Sequence, residues 1–426
     1  MREVSVGTTA VACLALAAIV VWTASTQAQP DAHQQARIDP GHHMSHLQAA
    51  RKVKGEDLRT LLERLLGHHA ILAVRVMRGQ VRGSPELVQT LEDALGANTH
   101  ELTVAVRSLH GAKGARIFEQ LWTNHVVSLF EYAGAVEGHK KKAKKRLLRE
   151  LDRYRADFGT FVETASDGTL KAEDVAQSLK AHINQLLEQV RAYAAKDYAA
   201  AYRLEREAFG HMFPTGKALA GGLAVHHPGE SSVALENPAH SLKSALSLLL
   251  GEHVELLVEA TRSGVRGSRE FKYAAKALDR NTEDLTESVR ALFGRKNARR
   301  FNDIWADHID YLMDYTIGKA GGNEKAQRKA MRRMRTFVHR FPRYLTRVTG
   351  LRASPRVSRQ IARHEHLIVD QLNAYDARKF DLAIRVSNRA YNDMFSTAVE
   401  LGGLLQKRFP SVAPVGGAGT GGGGTR

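Results

Sequence analysis

GHHAIL (Gly67–Leu72) returns further along the chain as GEHVEL (Gly251–Leu256), and the residues on either side return with it. VRGS at Val81–Ser84 recurs at Val265–Ser268, NTHELTVAVRSL at Asn98–Leu109 recurs as NTEDLTESVRAL at Asn281–Leu292, and LWTNH at Leu121–His125 recurs as IWADH at Ile304–His308. The stretch from His182 to Met212-Phe213 matches His364 to Met394-Phe395 without a gap. The chain is therefore an internal duplication, and a position kept in both copies has been tested twice.

Apolar spacing in both copies is helical. Leu61, Leu62, Leu65, His69, Leu72 and Val76 follow the three-four rhythm, and Leu246, Leu249, His253, Leu256 and Leu257 follow it again. A second helix is expected between Pro85 and Leu109, and a third through Phe118, Leu121, Trp122, His125, Leu129 and Tyr132, echoed by Phe301 to Tyr315. A fourth runs from Leu147 to Phe161, a fifth from Val175 to Tyr193, and a sixth ends at Met212-Phe213. No stretch alternates with period two for long, so the expected class is all-α, two tandem bundles of five to six helices.

Residues 1–28 read as a secretory signal, with an apolar run from Ala10 to Trp22 and small residues before a cut after Ala28. That run is short for a membrane span, although the poor positive start, Arg2 offset by Glu3, leaves a retained anchor open. Residues 29–54 form a polar segment expected to be disordered, with His42, His43, Met44 and His46 offering loose copper or nickel capture. Repeat 1 spans 55–223, a linker 224–237, repeat 2 238–407, and a glycine-rich tail 408–426. The lone cysteine, Cys13, lies within the signal, so the mature chain, with no span across the membrane, has no disulfide, thiolate ligand or thiol nucleophile. The expected location is outside the cytoplasm, in the periplasm, at the cell surface or beyond it.

Three histidines survive in both copies: His69 with His253, His125 with His308, and His182 with His364. Each sits in the apolar stripe of its helix. With the repeated Met212 and Met394, each copy places three imidazoles and a thioether on four helices. That set suits copper, because the thioether is a soft ligand and imidazole accepts either oxidation state; zinc would use the histidines but gain little from methionine. The plain alternative is a set of buried hydrogen-bonding histidines, for which Gln189, Tyr193 and Tyr132, repeated as Gln371, Tyr375 and Tyr315, offer partners. His68 and His211 become Glu252 and Asp393 in the second copy, so they are poor candidates for anything common to both.

Di-iron carboxylate chemistry fits badly because no Glu-x-x-His is kept in both copies. A haem held by histidine and methionine stays open, although no Cys-x-x-Cys-His is present. The only clear repeated serines, Ser84 and Ser268, read as helix N-caps, so no catalytic residue emerges. A net charge of +17 points to anionic neighbours or simply to solubility. Its densest runs are Lys140, Lys141, Lys142, Lys144, Lys145, Arg146 and Arg149, then Arg328, Lys329, Arg332, Arg333, Arg335, Arg340 and Arg343. They offer an anionic envelope polymer a basic helix face, while the lack of interleaved aromatics disfavours nucleic acid.

The phrases LLGHHAILAV, NTHELTVAV, LWTNHVVSLFEYA and AFGHMF resemble a family of secreted bacterial proteins built from paired all-helical repeats, often labelled copper-amine-oxidase-like. The resemblance covers nearly all of residues 58–405 and implies the paired helical fold. It transfers no catalytic residue, and no tyrosine-derived quinone motif is present.

Overall fold

A computed structural model describes residues 55–223, 238–350 and 355–408; the expected signal, the histidine-rich segment, the linker and most of the tail lie outside them. The described residues form ten helices and no strand. In repeat 1 these are α1 (Gly55–Arg82), α2 (Pro85–Glu137), α3 (Lys141–Ala165), α4 (Ala172–Ala194) and α5 (Tyr198–Leu223). In repeat 2 they are α6 (Pro238–Val265), α7 (Phe271–Ala320), α8 (Glu324–Thr349), α9 (Pro355–Asp376) and α10 (Phe380–Arg408). None of the described helices is long and apolar enough to cross a membrane.

The second and third helices expected from the sequence are two halves of one element, broken at a glycine in each copy. Gly111 has φ 67° and ψ −174° inside α2, and Gly294 has φ 79° and ψ 167° inside α7. That conformation is almost confined to glycine. The break turns the second half so that it brings Trp122 and His125, or Trp305 and His308, against the first helix of its own copy. Ser84 stands at the N-cap of α2 without a side-chain cap bond; the N-cap of α7 is Glu270 and not the expected Ser268, whose hydroxyl accepts from the Glu270 N–H at 3.3 Å.

The first helix of each copy lies at the centre, buried on every side from Leu65 to Gly79 and from Leu249 to Ser263. One face meets its own bundle; the other meets the opposite copy. The described residues of both copies fall within one compact unit. The cores interleave: Ala374, Tyr375, Ala383 and Ile384 join the core of repeat 1, and Ile71, Tyr202, Phe209 and Phe213 join that of repeat 2.

Contacts across this interface are reciprocal, as about a twofold axis. A Cβ on Gly67 would stand 3.0 Å from Phe209 and 3.1 Å from Tyr391; one on Gly251 would stand 3.1 Å from Tyr391 and 3.4 Å from Phe209. Phe213 stacks on its own counterpart, Phe395, at 6.4 Å between centroids. Charge breaks the symmetry. Arg75 pairs with Glu255 at 2.7 Å and with Glu259, the residue at its own repeated position, at 2.9 Å. Arg206 bonds both oxygens of Glu252 at 2.9 Å and reaches Asp284 at 2.7 Å.

Candidate metal centre

The eight candidate ligands gather in two places, one per repeat. In the second, His253 comes from the centre of α6, His308 from the second half of α7, His364 from α9 and Met394 from α10, all buried. His253 Nε2 lies 3.2 Å from His308 Nε2, and one ring nitrogen of each of the three histidines falls within 4.8 Å of the others. Met394 lines the same cavity as His308 and His364. In the first copy His69 Nε2 lies 3.3 Å from His125 Nε2, and Met212 shares a cavity with His125 and His182. This set is looser: the His69 and His182 ring centroids are 6.2 Å apart, against 5.6 Å for His253 and His364. Among the described residues the second trio alone meets the 4.8 Å closeness.

Two nitrogens at about 2.05 Å from a tetrahedral ion stand about 3.3 Å apart. The paired Nε2 atoms of both copies already have that separation. The backbone supports it: Nδ1 of His308 donates to the Trp305 carbonyl one turn back, which leaves the Nε2 lone pair facing His253. His125 turns more weakly toward the carbonyls of Trp122 and Leu121, without a well-aligned bond. Each of these rings is held flat by an aromatic neighbour at 4.4 Å, Tyr154 on His125 and Phe337 on His308. The recurring W-x-x-H spacing and the matched aromatics of α3 and α8 are the sequence signals for these supports.

Burial pushes every one of these imidazoles down, His125 to about 3 and His364 to about 4. His69, His182, His253 and His308 lie well below the ordinary value for the same reason, with neighbouring imidazoles adding to it. At neutral pH all six are uncharged, and in each copy one N–H of the Nε2 pair donates to the other ring. The partners expected from Gln and Tyr do not serve them. Gln189 and Gln371 accept from the buried guanidiniums of Arg78 at 3.3 Å and Arg262 at 2.9 Å. Tyr132 accepts from Arg191 at 2.8 Å, Tyr315 donates to Asn373 at 3.1 Å, and Tyr193 and Tyr375 meet Arg82 and Arg266. Both ring nitrogens of His182 and of His364, and Nδ1 of His69 and of His253, are left without a hydrogen bond. Such atoms are expensive to bury unless something else takes them up.

The histidines that do not recur have other work. His68 stacks on Tyr391 at 4.8 Å and bonds Asn388 at 3.2 Å across the interface. His211 bonds the Ser178 hydroxyl at 3.1 Å. The basic runs lie outside both clusters, largely exposed and partly paired, as Arg340 is with Asp307 at 2.6 Å. No protein-family model, curated protein or solved structure matches this chain, so the family resemblance rests on the quoted phrases alone.

Proposed function

We propose that this is an exported metal-binding protein that holds copper at His253, His308, His364 and Met394 and buffers or hands on the ion in the cell envelope. The observation that carries the reading is three neutral, converging imidazoles, three of whose six ring nitrogens lack a hydrogen bond, with a thioether in the same cavity. No carboxylate belongs to the set, which favours a soft, late metal over a hard one. His69, His125, His182 and Met212 make a second, weaker site, because His182 stands further off. Haem is the poorer occupant, since no macrocycle fits between nitrogens 3.2 Å apart. Export rests on the reading of residues 1–28.

The test is a titration of untagged protein with Cu(I) against a competing chelator. Two equivalents of unequal affinity are expected; His308→Ala removes the tighter and His125→Ala the weaker. Met394→Leu weakens Cu(I) while leaving Zn(II) nearly unchanged. Absence of competitive copper binding, or titrations indifferent to His308→Ala, would overturn the reading.

The alternative, an anionic polymer held by basic helix faces, draws on a surface cleft lined by Arg300, Arg340, Arg343 and Arg347. Retention on acidic polymer that falls steeply with salt, and falls again on replacing those arginines by glutamine, would favour it.

A further inference from the structure

The two histidine clusters share their ligand types and differ in what lies between them and solvent. The cavity at the first has a volume of about 120 Å³, room for several waters, since about 10–15 Å³ holds one. Asp174 of α4 and Ala218 of α5, both exposed, stand at its mouth. Ser178 and Thr215, half-buried, come next, with their hydroxyl oxygens 3.4 Å apart. His182 and Met212 close the inner end, both buried, and neither ring nitrogen of His182 has a hydrogen bond. A carboxylate, two hydroxyls and an imidazole thus stand in order from solvent to the ligands.

The second cluster has a cavity of about 100 Å³ and no such row. Among the described residues no charged side chain lines it, and its half-buried rim carries Val289, Leu292, Leu345, Val348 and Leu401. Of the polar row only Thr397, the counterpart of Thr215, is kept there. Arg356 occupies the position of Asp174, exposed and paired with Glu400 at 3.4 Å, and a buried Gln360 that of Ser178; neither lines the cavity. A cation that sheds water on an apolar rim finds nothing to replace it. At the first copy an exposed carboxylate attracts the ion, and hydroxyl oxygens with two lone pairs each stand in for the lost water.

We propose that the two sites divide the handling of the ion: the first exchanges copper with solvent along Asp174, Ser178 and Thr215, and the second, which lacks that route, retains it. The proposal rests on the copper reading of both clusters. Oxygen is a poor ligand for Cu(I), so the row is a passage and the imidazoles and thioether are the resting place. Removing the carboxylate therefore raises the barrier equally for entry and exit and leaves the equilibrium where it was. Loss of a ligand would shift the equilibrium as well.

Full-length protein carrying His308→Ala keeps the first site alone, and His125→Ala keeps the second alone. Each is loaded with Cu(I) and mixed rapidly with an excess of a chromophoric Cu(I) chelator; the release rate and Kd come from the same chelator, and their quotient is the loading rate. Loading of the first site is expected to be at least about tenfold faster than that of the second, within the range that charge at an entrance commands. Asp174→Asn should slow release and loading at the first site together, about three- to tenfold, with Kd moving less than about twofold. Ala218→Trp, which fills the mouth, should slow the first site as well, and neither substitution should alter the second. Asp174 also lies in the first turn of α4, where a carboxylate suits the helix, so melting temperatures are recorded beside the rates. If His308→Ala loses its circular dichroism, the fast phase of release from the unaltered chain gives the first site's rate, and Asp174→Asn should slow that phase alone. Equal loading rates at the two sites, rates indifferent to both substitutions, or a Kd that moves as far as the rates would overturn the proposal and leave the copper reading standing. Absence of copper from both single-site variants and from the unaltered chain would overturn the copper reading and this proposal together.

Discussion

At the scale of residues, the buried imidazoles make the fold sensitive to acid. Burial holds His68 and His125 at about 3 and His364 at about 4, against an ordinary value of 6.5, and four more lie well below it. A base depressed in the folded state contributes stability that is complete above its unfolded value and is lost as pH falls through its folded value. Each such group tilts stability by up to about 1.4 kcal/mol per pH unit. Glu205 acts the other way between 4.5 and 7, since burial raises its carboxyl to about 7 despite Arg78. Burial raises Glu63, Glu255 and Glu365 as well, so seven buried histidines stand against four buried carboxyls. We predict that metal-free protein unfolds cooperatively as pH falls from about 6 to 4, taking up several protons, as followed by circular dichroism and potentiometry. Stability unchanged down to pH 4 would contradict neutral burial of these rings.

At the scale of elements, the same glycine-to-alanine change has opposite signs at two places on α2. Gly111 has a positive φ in a region closed to other residues, so Gly111→Ala costs about 1–3 kcal/mol even though its Cβ would meet nothing. Gly96 is exposed, within the helix and equally unobstructed, so Gly96→Ala stabilises by about 0.5–1 kcal/mol. Melting temperatures of the two variants should move in opposite directions. The repeated pattern made the two halves of this element legible as helices. It did not show that they join through one residue, because a break of this kind needs a single backbone conformation and no run of turn residues.

At the scale of the whole molecule, the interface has twofold geometry and unlike charges. Two first copies would set Arg75 against Arg75, and two second copies would set Glu259 against Glu259, both buried. Cleavage at a protease site placed within 224–237 should leave the two repeats eluting together, one to one, with no self-paired species. Arg75→Glu and Glu259→Arg should each cost about 3–5 kcal/mol, the penalty of a buried charge left unpaired, and the double exchange should recover most of it. Halves that separate, or single variants without effect in denaturant melts, would show that the charges do not set the pairing.

The all-helical class and the eight candidate ligands were determined by the sequence alone. Periodicity is a local property, and duplication marked which polar residues stand in the inward stripe of each helix. The distances among those ligands were not legible, because four separate helices meet only through packing. Nor was the fate of Arg75, Arg78, Glu255 and Glu259. On one helix such residues read as a solvated face, whereas Arg78 is matched within its own copy by Glu205 at 2.8 Å and Arg75 across the copies by Glu255 and Glu259 at 2.7–2.9 Å. The same contact decided that two amphipathic repeats become one body: each central helix has a second face that nothing within its own copy covers.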